Sequence, residues 1–382
     1  MSALFKNTFK AAGWVAFAAG VFALALILPA AKPALADAPP SVGSQVYIDN
    51  NGDGTVDRVI VTLSDAGATC SFVAGDWTYT GNGIGGSLAG TGTCVGGVVT
   101  ININGANSDT TGAASEPELA YTDNGNIFNG TGHLASYAST ALADAAPPLI
   151  TGAQYLDVNH DGTVETVRFN TTSDTGIFCN AFTANTDFTI PTTHGTISLN
   201  SDAGDTCAAA VPNSFYITLG NTGSSGATGG LIDPVVDYNQ PGAGVEDGAH
   251  NAVPSATGVD ATDGAFPVIT GATYLDTNGD GTVDTVRIHT SAEASIVCGS
   301  FTGGADFMVT TPGDINLVSD AGDLCSITAL NSFDISLGVL GTPNQTGGGV
   351  DPVVEYDQPG GGVHDAIGND LISASGVDAQ DG

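Results

Sequence analysis

From residue 38 onward, apolar side chains recur at every second position in short runs, and the runs are separated by Gly, Asn, Asp and Pro. Alternation of this kind marks strands with one face buried. In the last third of the chain the pattern predicts strands at "ATYL" (272–275), "TVDTVRIHT" (282–290), "DFMVTT" (306–311), "DINLV" (314–318), "SFDISLG" (332–338), "DPVVEYD" (351–357) and "LISASGV" (371–377). Seven short strands without helical periodicity predict an all-β unit, an antiparallel sandwich of two sheets. Val286 and Ile288 share the predicted core face, as do Val167 with Phe169 and Val59 with Val61; Arg287, Arg168 and Arg58 take the opposite face.

The pattern repeats. The stretch "DTNGDGTVDTVR" from Asp276 has earlier copies in "DVNHDGTVETVR" from Asp157 and "DNNGDGTVDRVI" from Asp49, each two residues after a tyrosine (Tyr47, Tyr155, Tyr274) expected in the core. The spacing is that of a domain and not of a solenoid turn. Small polar stretches followed by proline, "ALADAAPPLITGA" and "GVDATDGAFPVITGA", place the boundaries, giving repeats at 37–145, 146–264 and 265–382 after a leader at 1–36. The last residues, "GVDAQDG", match "GVDATDG" at 258–264, where the third repeat is about to start.

Oxygen ligands at positions 1, 3 and 5 of a tight loop, with glycine at position 6, let a short backbone wrap a hard cation such as Ca²⁺. The candidate ligands are Asp49, Asn51, Asp53 and Asp57; Asp157, Asn159, Asp161 and Glu165; and Asp276, Asn278, Asp280 and Asp284. The competing reading is a polar turn that joins two strands and binds nothing. Acids at positions 1, 5 and 9 in every copy exceed what a turn needs, so calcium is the expected cofactor. Asp144, Asp263 and Asp381 hold equivalent places at the ends of the repeats, with Asp260 and Asp378 nearby. They are read either as a solvated acidic linker or as further calcium ligands that stiffen the joints.

The loop resembles the calcium loop of EF-hands through position 9, but position 12 is Ile60, Arg168 or Arg287 where that family has glutamate, and the flanks read as strands. It is also similar to the D-x-N-G-D-G loops of integrin-type propellers, which recur at about half this period. Taken with the late segments Tyr238 to Asn251 and Tyr356 to Asn369 and the "D-G-A-x-P" linker, the whole repeat resembles the immunoglobulin-like repeats of bacterial surface and adhesin proteins. That resemblance implies three tandem immunoglobulin-like β-sandwich domains in a cell-surface protein, with adhesion or spacing as its role.

Six cysteines fall as Cys70 with Cys94, Cys179 with Cys207, and Cys298 with Cys325, one pair per repeat. Three disulfides inside the repeats are expected in an exported chain; no C-x-x-C spacing or companion histidine favours zinc. Export itself is read from Lys6 and Lys10, the apolar run from Ala11 to Leu28, and the small-residue site Ala34 to Ala36. This is a signal peptide cleaved after Ala36, with an uncleaved membrane anchor as the alternative. Without the leader, three arginines face 40 acidic residues and there is no lysine. So anionic a surface repels nucleic acid and anionic lipid and recruits cations.

No catalytic constellation is visible. The histidines sit at mostly non-equivalent places, the cysteines are paired, and no serine or threonine has a nominated base. The expected function is therefore non-enzymatic: a secreted or cell-surface, calcium-stabilised spacer, adhesive stalk or matrix component. The alternatives are a carbohydrate- or protein-binding module, for which Trp77 and Tyr79 are the only concentrated aromatics, and the stalk of a larger extracellular enzyme.

Overall fold

The computed structural model describes residues 38–382 apart from 193–196, 211–212, 231, 241–243 and 359–361. The leader expected at 1–36 lies outside the described residues, among which no helix is long and apolar enough to cross a membrane. Pro39 to Gly382 forms one compact unit. It is all-β, and among the described residues the only helical element is a 3₁₀ turn at Ala74–Asp76.

In the second repeat the strands Ile150–Leu156 and Thr166–Thr171 pair antiparallel, with Tyr155 opposite Val167 and Ala153 opposite Phe169. The long closing strand Ala256–Asp263 then plays two parts. It runs parallel to Ile150–Leu156, with Tyr155 opposite Asp263, and antiparallel to Val235–Tyr238. It thereby joins seven strands in the order Phe188–Thr192, Val235–Tyr238, Ala256–Asp263, Ile150–Leu156, Thr166–Thr171, Ser214–Thr218, Thr206–Ala209. Rings from the two ends of that order touch: Phe169 lies 5.9 Å from Phe188 and 6.2 Å from Tyr238, and Phe215 lies 5.5 Å from Tyr238. The sheet therefore folds over on itself in a sandwich-like arrangement with the aromatic core between its layers.

The third repeat has the same strand order, with Ala374–Asp381 as the joining strand. In the first repeat that strand is broken at Leu142. Tyr137–Ala141 pairs with Glu118–Tyr121, while Ala143–Asp144 runs parallel to Val42–Ile48, so two sheets result. A small second pairing carries the first cysteine of each pair: Thr69–Cys70 with Ile127–Asn129, Ile177–Cys179 with Val245–Asp247, and Ile296–Cys298 with Val363–Asp365.

The buried apolar residues separate into three clusters, one per sequence repeat. The predicted core face holds: Val59, Val61, Val167, Phe169, Val286 and Ile288 are buried, and Arg287 turns away to a two-pronged ion pair with Asp334. All three expected disulfides are present. Several strands differ from the alternation: those expected at 272–275, 282–290 and 351–357 span Ile269–Leu275, Thr285–Thr290 and Val353–Tyr356. "DINLV" is a turn ending in an isolated bridge at Val318, and the last strand runs to Asp381 because pairing with Ile269–Leu275 rewards the extra residues. The strands Ile296–Cys298, Leu324–Ala329 and Val363–Asp365 were too short or too polar for alternation to mark.

Candidate metal centres

Each Asp loop is tied together by its own backbone. Asp49 accepts the N–H of Gly52 at 2.7 Å on one carboxylate oxygen and that of Gly54 at 2.7 Å on the other. Asp276 does the same with Gly279 and Gly281, both at 2.8 Å, and Asp157 takes Gly162 at 2.8 Å and Asp161 at 3.2 Å. Asn51, Asn159 and Asn278 each accept the N–H of the aspartate two residues on. At position 9, Asp57 accepts from Asn50, Glu165 from Val158 and Asn159, and Asp284 from Thr277. Position 6 needs glycine, since φ is +84°, +84° and +88° at Gly54, Gly162 and Gly281. His160, at position 4, is exposed and has its ring against Phe266. Thus the position 1, 3 and 5 side chains of each copy converge on one turn, a geometry open to both the calcium and the polar-turn readings.

The first two loops lie where one repeat meets the next, while Thr282 of the third bridges to Gln345 of its own repeat. Thr55 bridges to Thr110, which bridges to Ser173 of the second repeat; Thr163 bridges to Ala227, and Ala227 to Ala292 of the third. Backbone hydrogen bonds carry these contacts across, including Ser173 N–H to Asp109 O at 2.7 Å and Ala292 N–H to Gly226 O at 2.6 Å. Gly162 also leaves room for the neighbour, because a Cβ there would stand 2.9 Å from Val268 Cγ2.

At the same two seams the chain gathers acids that are not in the loops. Among the described residues, three potential metal-binding side chains come within 4.8 Å of one another at Asp144, Asp174 and Asp247, and again at Asp263, Glu293 and Asp365. The first residue of each trio closes one repeat, and the other two belong to the repeat that follows. Asp144 and Asp263 are set by the parallel pairing that places them opposite Tyr47 and Tyr155. Asp247 and Asp365 end the short strands paired with the cysteine strands, and each accepts backbone N–H groups of its own turn and the side-chain amide of Asn251 or Asn369. Thr111 donates across the first seam to Asp174 at 2.9 Å, and Thr228 donates across the second to Glu293.

Burial, and then the neighbouring carboxylates, disfavour ionisation here. The Asp144 carboxyl is pushed up to about 7, Asp174 to about 6, Asp263 to about 7 and Glu293 to about 8. The described residues contain no lysine, Arg287 is held by Asp334 and Arg168 donates to Gln154, while His250, paired with Glu246, is the basic group that feels Asp247.

Sequence reasoning placed Asp144 and Asp263 at the joints but overlooked their partners. The signal was present. Asp174 and Glu293 both stand five residues before the first cysteine of their repeat, and Asp247 and Asp365 open the D-x-x-x-N that closes the late segment. The tyrosines before the loops are core residues, as expected, and two of them donate to an aspartate of their own repeat, Tyr155 to Asp233 at 3.5 Å and Tyr274 to Asp351 at 3.4 Å. The remaining candidate, Trp77, is 5% exposed, sits in a strand and packs on Tyr121 at 4.8 Å. A groove of about 500 Å³ on the first repeat between Val42–Gln45 and Tyr137–Ala141 is lined by no charged residue.

No protein-family model matches this chain, and no curated protein matches it.

Proposed function

We propose that the chain is a secreted or cell-surface spacer or adhesive stalk built from three tandem immunoglobulin-like repeats. In this reading Ca²⁺, bound at the Asp49, Asp157 and Asp276 loops, stabilises the repeats, and the role is mechanical and not catalytic. The observation that carries it is the seating of the first two loops at the seam with the following repeat, through the Thr55–Thr110–Ser173 and Thr163–Ala227–Ala292 bridges. A cation that fixes such a loop fixes the surface on which the next repeat rests. The three disulfides suit an oxidising, extracellular compartment, and Trp77, one of the two aromatics considered for a glycan-binding platform, is buried while Tyr79 is half-buried.

The reading predicts that the full chain melts at a higher temperature in millimolar calcium than in excess EDTA, with affinities in the range of extracellular modules, about 10⁻⁴ to 10⁻³ M. Equal melting temperatures in the two solutions would remove calcium from the account.

A further inference from the structure

We propose that each seam between consecutive repeats is itself a divalent-cation site, one ion held by Asp144, Asp174 and Asp247 and a second by Asp263, Glu293 and Asp365. The proposal rests on the reading of the chain as a cation-stabilised array, but it concerns residues outside the Asp loops and stands whether or not those loops bind.

Four observations carry it. First, the cluster at the first seam contains a buried polar atom without a partner. Tyr47 is fully buried, and its hydroxyl, with a single proton to donate, lies against the carboxylates of both Asp144 and Glu116. Asp144 Oδ2 and Glu116 Oε2 are both buried, and that one hydroxyl can satisfy at most one of them. Oxygens left in this state inside a protein cost free energy unless a proton or a cation meets them. Second, the second seam contains room: a cavity of about 290 Å³ is lined by the equivalent carboxylates of Asp233, Asp263, Glu293 and Asp365.

Third, a glycine is built between the carboxylates of the two repeats at both seams. A Cβ on Gly112 would stand 2.4 Å from Asp174 Oδ1 and 2.7 Å from Asp144 Oδ2. One on Gly229 would stand 1.8 Å from Glu293 Oε2 and 2.7 Å from Asp263 Oδ2. Any other residue would occupy the space the acids share.

Fourth, the first repeat carries the same positions on the face that meets no other repeat among the described residues, and there the chemistry changes. Asp65 corresponds to Asp174 and Glu293, five residues before the first cysteine. The position of Asp247 and Asp365 is taken by Asn129, whose amide donates to Asp65 at 2.9 Å. Where no seam forms, an amide meets the carboxylate; where a seam forms, a further carboxylate stands in its place. All the donors are oxygen and several are carboxylates, a set suited to Ca²⁺ with its six to eight oxygen ligands.

Calorimetric titration of the full chain with calcium chloride tests this, using three variants. The Asp144→Asn, Asp263→Asn double variant is expected to lose two ions from the isotherm, and Asp263→Asn alone to lose one. A variant with Asp53→Asn, Asp161→Asn and Asp280→Asn, which weakens the loops, is expected to keep the two seam ions. These substitutions are nearly isosteric, and a melting temperature in EDTA no lower than that of the unaltered chain verifies the fold. If the seam double variant binds as many ions as the unaltered chain, with the same affinities, the seam sites do not exist. If the loop variant loses no ion while the seam variant loses two, the loops fail as calcium sites and the seam proposal stands. Loss of every ion in the loop variant overturns the proposal.

Discussion

Asn129 and Asp247 end the same strand in successive repeats, and the exchange of an amide for a carboxylate decides what their surroundings require. Beside Asn129, the amide holds the half-buried Asp65 carboxyl below its usual range. Around Asp247, burial and like charge push Asp144 and Asp174 the other way. The sign of the pH dependence follows. An acid whose folded-state value is raised above its ordinary value near 4 binds its proton more tightly when folded, so its effect on stability is most favourable at acid pH. That effect is lost as pH rises through the window between the ordinary and the raised value. With Asp144 and Asp263 at about 7 and Glu293 at about 8, the window runs from about pH 4 to about pH 8. In EDTA the chain should therefore melt at a higher temperature at pH 5 than at pH 8, and saturating calcium should shrink the difference because the ion replaces the protons. A melting temperature that climbs from pH 5 to pH 8 in EDTA would count against the buried acids as drawn.

Among the elements, the loops and the strands that hold them make separate demands. Gly162 has φ +84° and abuts Val268 of the next repeat, so Gly162→Ala strains the turn and crowds the seam together. A loss of about 1–2 kcal/mol from the backbone alone is expected in chemical denaturation, and the calcium response should weaken with it. Phe169→Ala opens the aromatic core between the layers and should cost about 3–5 kcal/mol. Replacing Cys298 and Cys325 together by serine releases a closed loop spanning a sequence separation of 27, which on the chain-entropy account removes about 3.5 kcal/mol. Much of this level was legible in the sequence. The alternation of Val286 and Ile288 gave the core face, the cysteine spacing gave the disulfides, and the D-x-N-x-D-G string gave the turn. Strands of three residues such as Val245–Asp247 were not legible, because their place is set by pairing with a distant cysteine strand and no local period marks them.

Across the whole molecule, the acids that meet at the seams come from distant segments: Asp144 and Asp247 are brought together by the parallel closing strand on one side and the cysteine-strand pairing on the other. Sequence reasoning found the linker half of each trio because it recurs with the repeat boundary. The other half hid in positions that looked like ordinary turn acids until the fold placed them across a seam. A chain with so few basic groups has little but cations with which to offset buried carboxylates, and in the proposed account calcium would act as a fastener between repeats. Small-angle X-ray scattering from the full chain in millimolar calcium and in EDTA tests this most directly. The account predicts a narrower distribution of interatomic distances and a single well-defined maximum dimension in calcium, with broadening in EDTA as the seams loosen. Superimposable curves under the two conditions would contradict it.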